Sequence, residues 1–315
     1  MPERRTFFVV NPRSANGATG RAWYKMARQI SQALGEVDHA FTERPMHAAE
    51  LTRRALAAGF ETIVAVGGDG TVHEVLNGFF PEPDAAGAGD KPLSATAALA
   101  VLPRGTGGDF RRSLGLDLEL GSALAMVKAG RTKPCDVGRA RFRKDDGKDG
   151  WRYFLNEGSF GLSGATVHVV NHTSKLLGPK LTFFLGSIRA LIGYKDCKVR
   201  VALDGGPSEE LTITCVTAAN GRYFGGGMMV APEAKLDDGK LSVTIWTGFG
   251  LGAFMKHQSK LYDGSHVKLA GTRVAVAKRL SAESDELVRV DLDGEQPGTL
   301  PCEYDILPGA IQLVC

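Results

Sequence analysis

The sequence is poor in cysteine and lacks several motifs that would identify a common enzyme class. Its five cysteines are Cys135, Cys197, Cys215, Cys302 and Cys315, an odd number without a Cys-x-x-Cys pair. This pattern predicts reduced thiols in the cytoplasm. There is also no Walker-type Gly-Lys-Ser/Thr loop and no Gly-x-Gly-x-x-Gly fingerprint, which argues against P-loop and Rossmann dehydrogenase functions.

Strong charge and long apolar runs are missing too. The net charge of +3 is too small to indicate nucleic-acid binding, and no helix-turn-helix, zinc or aromatic RNA-binding signature occurs. The longest apolar segment, residues 181–192, is too short to span a bilayer and contains Arg189. No signal peptide is visible at the N-terminus. We therefore expect a cytoplasmic protein that does not cross a membrane and has no nucleic-acid partner.

The pattern along the 315 residues predicts two domains of different architecture. From residue 6 to about residue 130, strands alternate with helices, which is typical of a parallel α/β domain. Beyond it the pattern is mostly β, and a β-sandwich is the expected solution. Strands are predicted at 151–155, 198–203, 211–218, 241–246, 273–277 and 288–292, and one helix at 181–192.

The predicted fold class is therefore α/β, with an N-terminal parallel α/β domain and a C-terminal, mostly antiparallel β-sandwich domain. We place the first domain at residues 1–133 and the second at 134–315. In an alternative arrangement, about 20 residues at the C-terminus pack back on the first domain.

A glycine-rich turn after a buried strand is the most informative local feature. The apolar run 63–66 leads into Gly67, Gly68, Asp69, Gly70 and Thr71, and a helix follows. Glycines allow the backbone to approach a ligand closely, and the first amides of the helix point toward it, as in a phosphate site. A carboxylate beside phosphates needs a cation between them, which a metal-bound nucleotide would supply. As a tight turn with a capping aspartate, the motif would carry no function.

Two other loops have a similar character. Strand 97–102 runs into a second glycine-rich loop that contains Gly105, Thr106 and Asp109. Strand 7–10 is followed by a polar turn, whose residues are Asn11, Pro12, Arg13 and Ser14. Arginine in such a turn could neutralise phosphate charge or simply face solvent.

Carboxylates gather near the C-terminus. Residues 288–295 alternate strictly, so Asp291, Asp293 and Glu295 share one side. A base that deprotonates a hydroxyl during phosphoryl transfer requires such a group, and nearby carboxylates can hold Mg²⁺. A polar strand that ends in an Asp-Gly turn is the alternative.

The order of these motifs resembles the lipid kinases related to diacylglycerol kinase and sphingosine kinase. Gly67 to Thr71 match the family's glycine signature, with His73-Glu74 where members carry an Asn-Glu-like pair and Gly108 where they usually carry Asn. The block 219–241 and the Asp293-Gly294-Glu295 ending also match. The resemblance implies an ATP- and Mg²⁺-dependent lipid kinase that transfers the γ-phosphoryl group to a lipid hydroxyl.

The resemblance also assigns roles to residues. The catalytic base would be Glu295 or Asp293, with Glu295 favoured and Asp293 as its partner or a member of the water and metal network. Asp69, Asp109 and Asp136 would organise Mg²⁺ and water. A structural Mg²⁺ would be held by Asp238 and the carbonyls of Lys235 and Lys240. The expected ATP-binding residues are Asn11, Pro12, Arg13, Ser14, Thr42, Gly67, Gly68, Asp69, Gly70, Thr71, Glu74, Gly105 and Thr106.

The expected substrate is a lipid alcohol at a membrane surface, which the protein contacts only peripherally. A homodimer is left open, because the sequence does not fix the oligomeric state. The acceptor is also open: diacylglycerol, a sphingoid base, ceramide or another lipid alcohol. An NAD kinase is the second hypothesis, since its glycine signature is the same. A nucleotide-binding regulatory module without catalysis is the third, suggested by Gly108.

Overall fold

The structure, a computed structural model, describes residues 5–83, 87–104, 108–171, 189 and 192–315. The chain divides into two compact units. Unit 1 comprises Met1–Asp136 and Gly309–Cys315, and unit 2 comprises Val137–Pro308. Strand β5 (Thr132–Arg143) leads out of unit 1, and the final strand, β15 (Glu295–Val314), leads back into it.

Unit 1 is a parallel sheet with helices between its strands. Its other described strands are β1 (Thr6–Val10), β2 (Asp38–Phe41), β3 (Thr62–Gly67) and β4 (Ala98–Pro103). Its described helices are α1 (Ala18–Leu34), α2 (His47–Ala57), α3 (Asp69–Gly78), α4 (Asp109–Ser113) and α5 (Leu120–Ala129). The strand order is β2-β1-β3-β4-β15, with all four pairings parallel.

Burial explains this arrangement. Every residue of β3 and of β4 is buried, as expected for central strands covered on both faces. On one face of the sheet, Trp23, Met26 and Ile30 of α1 pack against strand residues such as Val64 and Val66. Their spacing of three and four residues places them on one side of the helix.

The register aligns the carboxyl ends of neighbouring strands. Val10 of β1 lies opposite Val66 of β3, and Gly67 lies opposite Pro103 of β4. The loops that follow these three strands therefore leave the sheet at the same edge. In open α/β sheets this is the edge at which ligands bind.

Unit 2 is built mainly from antiparallel strands. They are β6 (Asp149–Phe154), β7 (Glu157–Gly161), β8 (Cys197–Leu203), β9 (Glu209–Ile213), β10 (Cys215–Ala219), β11 (Leu241–Trp246), β12 (Thr272–Ala277), β13 (Arg279–Glu283) and β14 (Arg289–Leu292), together with parts of β5 and β15. The described helices are α6 (Leu162–Asn171), α7 (Leu251–Asp263) and a 3₁₀ turn (Ser265–Lys268).

One sheet of unit 2 has the order β12-β11-β10-β7-β14-β15. A second set of pairings joins β9, β8, β13 and β15, and β5 pairs with β6 and β15. Phe160, Val216, Leu280 and Tyr304 from both sets belong to one buried cluster, which is the core of a β-sandwich. The α/β fold class predicted from the sequence, a parallel domain followed by an antiparallel β-sandwich, is confirmed.

Two details differ from the sequence prediction or fall outside the described chain. The single strand predicted at 211–218 is wrong, because β9 pairs with β8 whereas β10 pairs with β7 and β11. Thr214 separates them, and its hydroxyl donates to Asp196 Oδ1 at 2.8 Å. The helix predicted at 181–192 lies outside the described residues, apart from Arg189 and Ile192.

Within the described ranges, no helix is both long enough and apolar enough to cross a bilayer.

Candidate functional site

The glycine turn of unit 1 is tightly packed against the first turn of α3. A Cβ atom on Gly67 would lie 2.2 Å from Thr71 Oγ1, so this position accepts only glycine. Gly68 precedes the helix in an extended conformation, and Thr71 is buried beneath the turn. The turn therefore brings the N-terminal amides of α3 to the carboxyl edge of the sheet.

Asn11 ties the first polar turn to this glycine turn. Its Nδ2 donates to Thr71 Oγ1 at 3.0 Å, and its Oδ1 accepts from the backbone nitrogen of Arg13 at 3.0 Å. Ser14 Oγ donates to the carbonyl of Asn11 at 3.0 Å, and the Pro12 carbonyl accepts from Gly20 N at 3.1 Å. The structure thus brings Asn11, Pro12 and Ser14 close to the glycine turn, and their role toward ATP stays a prediction.

Thr42 lies at the same edge of the sheet as these turns, whereas Glu74 contacts the N-terminus of α2. Thr42 follows β2, and its backbone nitrogen donates to the Val10 carbonyl at 2.8 Å, at the same edge of the sheet. Glu74 Oε2 accepts from the backbone nitrogen of Ala48 at 3.1 Å, at the N-terminus of α2. A carboxylate is favourable there because of the partial positive charge of the helix end. Glu74 thus has a visible structural role in addition to the predicted one.

Asp69 binds the start of α4. Its Oδ2 accepts from the backbone nitrogens of Gly108 at 2.7 Å and Asp109 at 3.2 Å, and its Oδ1 accepts from Phe110 N at 3.2 Å. The first amides of a helix have no acceptor within the helix, so they need a partner from elsewhere. Asp69 therefore links the first glycine loop to the second, a role that its sequence neighbours do not reveal.

The second glycine loop is described only in part. Gly105 and Thr106 lie outside the described residues. Gly108 has φ of 66°, in the left-handed region, where glycine carries no steric cost. Asp109 is buried, and its Oδ1 accepts from Arg112 Nη1 at 2.9 Å.

Asp136 is buried at the end of unit 1. Its Oδ1 accepts from the backbone nitrogen of Gly309 at 2.7 Å, so it fixes the returning chain. Each of the three carboxylates predicted to organise Mg²⁺ thus holds a backbone or arginine donor. Their roles toward a cation stay predictions.

In unit 2, Asp293 has the same structural role as Asp69. It stands in a left-handed conformation with φ of 51°, in the turn between β14 and β15. Its Oδ1 accepts from the backbone nitrogens of Asn156 and Glu157 at 2.9 and 3.0 Å, and its Oδ2 from Leu155 N at 2.9 Å. The turn is therefore anchored to the loop between β6 and β7. Glu295 follows it, exposed at the first position of β15.

Asp291 is a site candidate that received no role from the sequence, although the alternating pattern placed it beside Asp293 and Glu295. It is fully buried, and its Oδ1 accepts from Gly294 N at 2.9 Å. Burial, followed by the charges of Asp293 and Glu295, raises the pKa of this carboxyl to about 8. Burial therefore favours the protonated, neutral form of this carboxyl within the turn.

Helix α6 is a second feature that the sequence analysis missed. It lies directly on β14, because a Cβ on Gly164 would be 2.4 Å from the Arg289 carbonyl oxygen. Ser163 Oγ is 2.7 Å from Ser159 Oγ on β7, and His168 Nδ1 is 3.3 Å from Gln296 Oε1 on β15. The helix thus contacts both strands beside the Asp293 turn.

An apolar pocket of about 60 Å³ lies against the other side of α6. The few polar groups around it include the hydroxyls of Ser163, Thr166 and Thr214. The lining residues are Leu162, Ser163, Thr166, Thr214, Cys215, Phe224, Met228, Val230, Trp246, Phe249, Phe254 and Leu261.

The predicted metal turn, residues 235–240, contains two carboxylates, Asp237 and Asp238, and the prediction assigns the metal to Asp238. Asp238 is exposed, and its Oδ1 accepts from the backbone nitrogen of Lys240 at 3.1 Å. Across the residues that the structure describes, no group of three or more histidine, cysteine, aspartate or glutamate side chains could hold a metal ion. The oxygen donors at the turn are suitable in kind for Mg²⁺, which keeps several waters, and the assignment of Lys235, Asp238 and Lys240 stays a prediction.

Comparison with known proteins identifies the family. Residues 5–140 match the model of the diacylglycerol kinase catalytic domain, and residues 158–315 match the YegS C-terminal NAD kinase beta sandwich-like domain. The protein named Probable lipid kinase YegS-like of Pseudomonas aeruginosa (strain UCBPP-PA14) is 30% identical over 99% of this chain and 95% of its own. The chain belongs to the diacylglycerol kinase-like lipid kinase family. The resemblance inferred from the motifs is confirmed.

Other members of the family agree with this assignment. The diacylglycerol kinase of Bacillus subtilis (strain 168) is 28% identical over 96% of this chain and 93% of its own. A crystal structure of a diacylglycerol kinase from Bacillus anthracis str. Sterne has a TM-score of 0.71 and 24% identity, and covers 100% of this chain and 97% of its own. That likeness supports the fold alone.

Proposed function

We propose that this protein is an ATP- and Mg²⁺-dependent lipid kinase that transfers the γ-phosphoryl group to the hydroxyl of diacylglycerol or a related lipid alcohol. The observation that carries the proposal is the apolar pocket of unit 2, which shares helix α6 with the turn that bears Glu295. An apolar pocket suits the hydrocarbon chain of such a substrate, and an exposed carboxylate suits the deprotonation of its hydroxyl.

Unit 1 would bind the nucleotide at the carboxyl edge of its sheet. The amides of Gly68 and Gly70 would face the phosphates, with Asn11 and Ser14 holding the neighbouring turn in place. Asp69 supports this proposal by fixing the two glycine loops to each other through three hydrogen bonds. Fixed donors lower the barrier to phosphoryl transfer, because the site need not reorganise as charge develops.

Unit 2 would supply the base and the lipid site. Glu295 would accept the proton of the acceptor hydroxyl, and Asp293 would hold the backbone that carries it. The exposure of Glu295 supports this assignment, since a base must reach the substrate. The hydrocarbon chain would enter the apolar pocket, and the hydroxyls of Ser163, Thr166 and Thr214 would meet polar atoms near the headgroup.

Mg²⁺ bound with ATP would offset the charge of the phosphates beside Asp69, Asp109 and Asp136. A structural Mg²⁺ would be held by Asp238 and the carbonyls of Lys235 and Lys240. We also propose a cytoplasmic protein that meets the membrane peripherally. Its five cysteines are all free thiols, which fits a reducing compartment.

The test is transfer of label from γ-labelled ATP in the presence of Mg²⁺. The acceptors are diacylglycerol, a sphingoid base and ceramide in mixed micelles, with NAD as a soluble acceptor. We expect label in one lipid product. Glu295→Gln should reduce kcat by roughly 100-fold or more while ATP binding, measured by calorimetry, is retained.

Glu303→Gln is the matched control, because Glu303 lies on the same strand in an exposed ion pair with Arg279. It should retain wild-type activity. Wild-type turnover by Glu295→Gln would remove Glu295 from the proposed role. Label only in NADP would favour an NAD kinase, the second candidate, for which the match of residues 158–315 to an NAD kinase-like sandwich is the relevant observation. ATP binding without transfer to any acceptor would favour a regulatory module.

A further inference from the structure

Helix α6 is held at a fixed distance from the strands of the Asp293 turn. Gly164 contacts the backbone of Arg289, and a Cβ at this position would lie 2.4 Å from the carbonyl oxygen and 2.6 Å from the carbonyl carbon. The contact therefore requires glycine. Residues four apart on a helix share a face, so His168 points in the same direction as Gly164, toward β14 and β15.

His168 meets Gln296 on β15, one residue after Glu295. The imidazole Nδ1 is 3.3 Å from Gln296 Oε1, and the contact is partly buried. Gln296 Nε2 donates to the Gly298 carbonyl at 2.9 Å, which fixes the direction of the amide group. Because an amide oxygen can only accept, Nδ1 must carry the proton and donate it. The neutral ring is therefore the Nδ1–H tautomer, with its lone pair on Nε2.

The residues that precede Glu295 are also fixed by hydrogen bonds. The carboxylate of Asp293 accepts three backbone amides, and the backbone nitrogen of Gly294 donates to Asp291. Glu295 itself is exposed. Contacts made by the residues immediately before and after Glu295 therefore help to fix its position, and the contact after it is the one with His168.

We propose that His168 is a positioning residue for Glu295: by donating to Gln296 it fixes the first residues of β15 and hence the place of the base. The inference rests on the proposed function, in which Glu295 accepts the proton of the lipid hydroxyl. His168 acts through Gln296 and does not itself exchange a proton with the substrate. A displacement of the base by about 1 Å can reduce turnover by about 100-fold.

The activity test uses two single variants and their combination. His168→Leu and Gln296→Leu should each lower kcat by roughly 10- to 100-fold, with the KM for ATP unchanged. The double variant should be no slower than either single variant, because both remove the same contact. His168→Asn should restore most of kcat, since its side-chain nitrogen occupies the position of Nδ1, whereas His168→Gln should not.

Wild-type kcat in His168→Leu, or losses that multiply in the double variant, would overturn the proposal. Failure of His168→Asn to recover activity, with its circular dichroism and melting temperature equal to wild type, would also overturn it. If His168→Leu does not fold, Gln296→Leu tests the same contact from the other side.

A second measurement does not depend on catalysis. The ¹⁵N chemical shifts of the His168 ring in the full-length protein should report a proton on Nδ1, and this preference should disappear in Gln296→Leu. If the wild-type protein phosphorylates no lipid but shows the Nδ1–H tautomer, the proposed function is rejected and the contact between His168 and Gln296 is retained. The Nε2–H tautomer in the wild type would reject the contact itself.

Discussion

Asp291 is a carboxyl group that unit 2 shields from water. Since it is buried and lies near two other carboxylates, it keeps its proton to a much higher pH than a carboxyl in an unfolded chain. Between these two pKa values the native state binds one proton more than the unfolded state. Unfolding then releases a proton, and a rise in pH destabilises the native state.

The variant Asp291→Asn measures this effect. The asparagine oxygen can still accept from Gly294, and the side chain stays neutral at every pH. Relative to the wild type, the variant should therefore gain stability as pH rises from about 4 to about 8, by up to about 1.4 kcal/mol per unit. The free energy of unfolding in urea, followed by tryptophan fluorescence, measures the difference. A difference that is constant between pH 5 and pH 8 would show that Asp291 ionises in the native state.

At the same scale, the sequence predicted that Asp69 and Asp293 lie in turns, but gave no sign that each accepts three backbone amides. For Asp69 those amides belong to residues 108–110, and for Asp293 to residues 155–157. Contacts between such distant positions follow from tertiary structure, and no local pattern encodes them.

At the scale of elements, helix α4 depends on a residue outside its own segment. It has only five residues, and no side-chain cap is formed at Gly108. Helices this short are marginal by themselves, because few hydrogen bonds offset the cost of nucleation. Asp69 supplies the missing acceptors for its first amides. Residues 108–110 should therefore lose their order when Asp69 is changed.

The variant Asp69→Asn tests this dependence. Amides bound to a charged acceptor contribute about 1.5–3 kcal/mol each, so exchange of the amides of 108–110 should accelerate by at least about tenfold. Hydrogen exchange detected by NMR measures it. Asp117→Asn is the matched control, because Asp117 accepts a single exposed amide, from Glu119 at 2.9 Å. Equal protection in Asp69→Asn and in the wild type would mean that other contacts order α4.

Elements with regular patterns were predictable, and those with broken patterns were not. The strand of residues 63–66 and the helix face of Trp23, Met26 and Ile30 follow simple periods, and both occur. Helix α6 was missed because its glycine, threonine and valines are poor helix formers. The length of β15 was missed because Pro297, Pro301 and Pro308 suggested breaks. Tertiary contacts override these preferences.

At the scale of the whole molecule, four of the five thiols are inaccessible. Cys135, Cys197, Cys215 and Cys302 are buried, and only Cys315 is exposed. Burial raises the pKa of Cys215 to about 11 and that of Cys302 to about 12, so their reactive thiolate forms are scarce at neutral pH. The native protein should therefore behave as if it had one cysteine.

Titration with a thiol-specific disulfide reagent checks this expectation. One thiol should react rapidly in the native protein and five should react in denaturant. Cys315→Ser should leave no rapidly reacting thiol in the native state. Rapid reaction of two or more thiols in the native wild type would indicate that a core opens readily.

The whole architecture was the most predictable level. Alternating helices and strands, followed by a mostly β region, predicted the two kinds of layer, and the order of the glycine and carboxylate motifs identified the family. The apolar pocket was not predictable, because its lining comes from residues as far apart as Leu162 and Leu261. For the same reason the sequence did not reveal that His168 meets Gln296.

The return of β15 to unit 1 affects how the protein is made. Gln312 and Leu313 pair with β4, and Gly309 binds the buried Asp136, so the sheet of unit 1 is completed by residues that follow unit 2 in the sequence. During translation, unit 1 lacks this strand while residues 137–308 are being added. At typical rates that interval is on the order of ten seconds. Throughout it, β4 presents an unpaired edge, to which chaperones or other chains could bind before residues 309–314 are made.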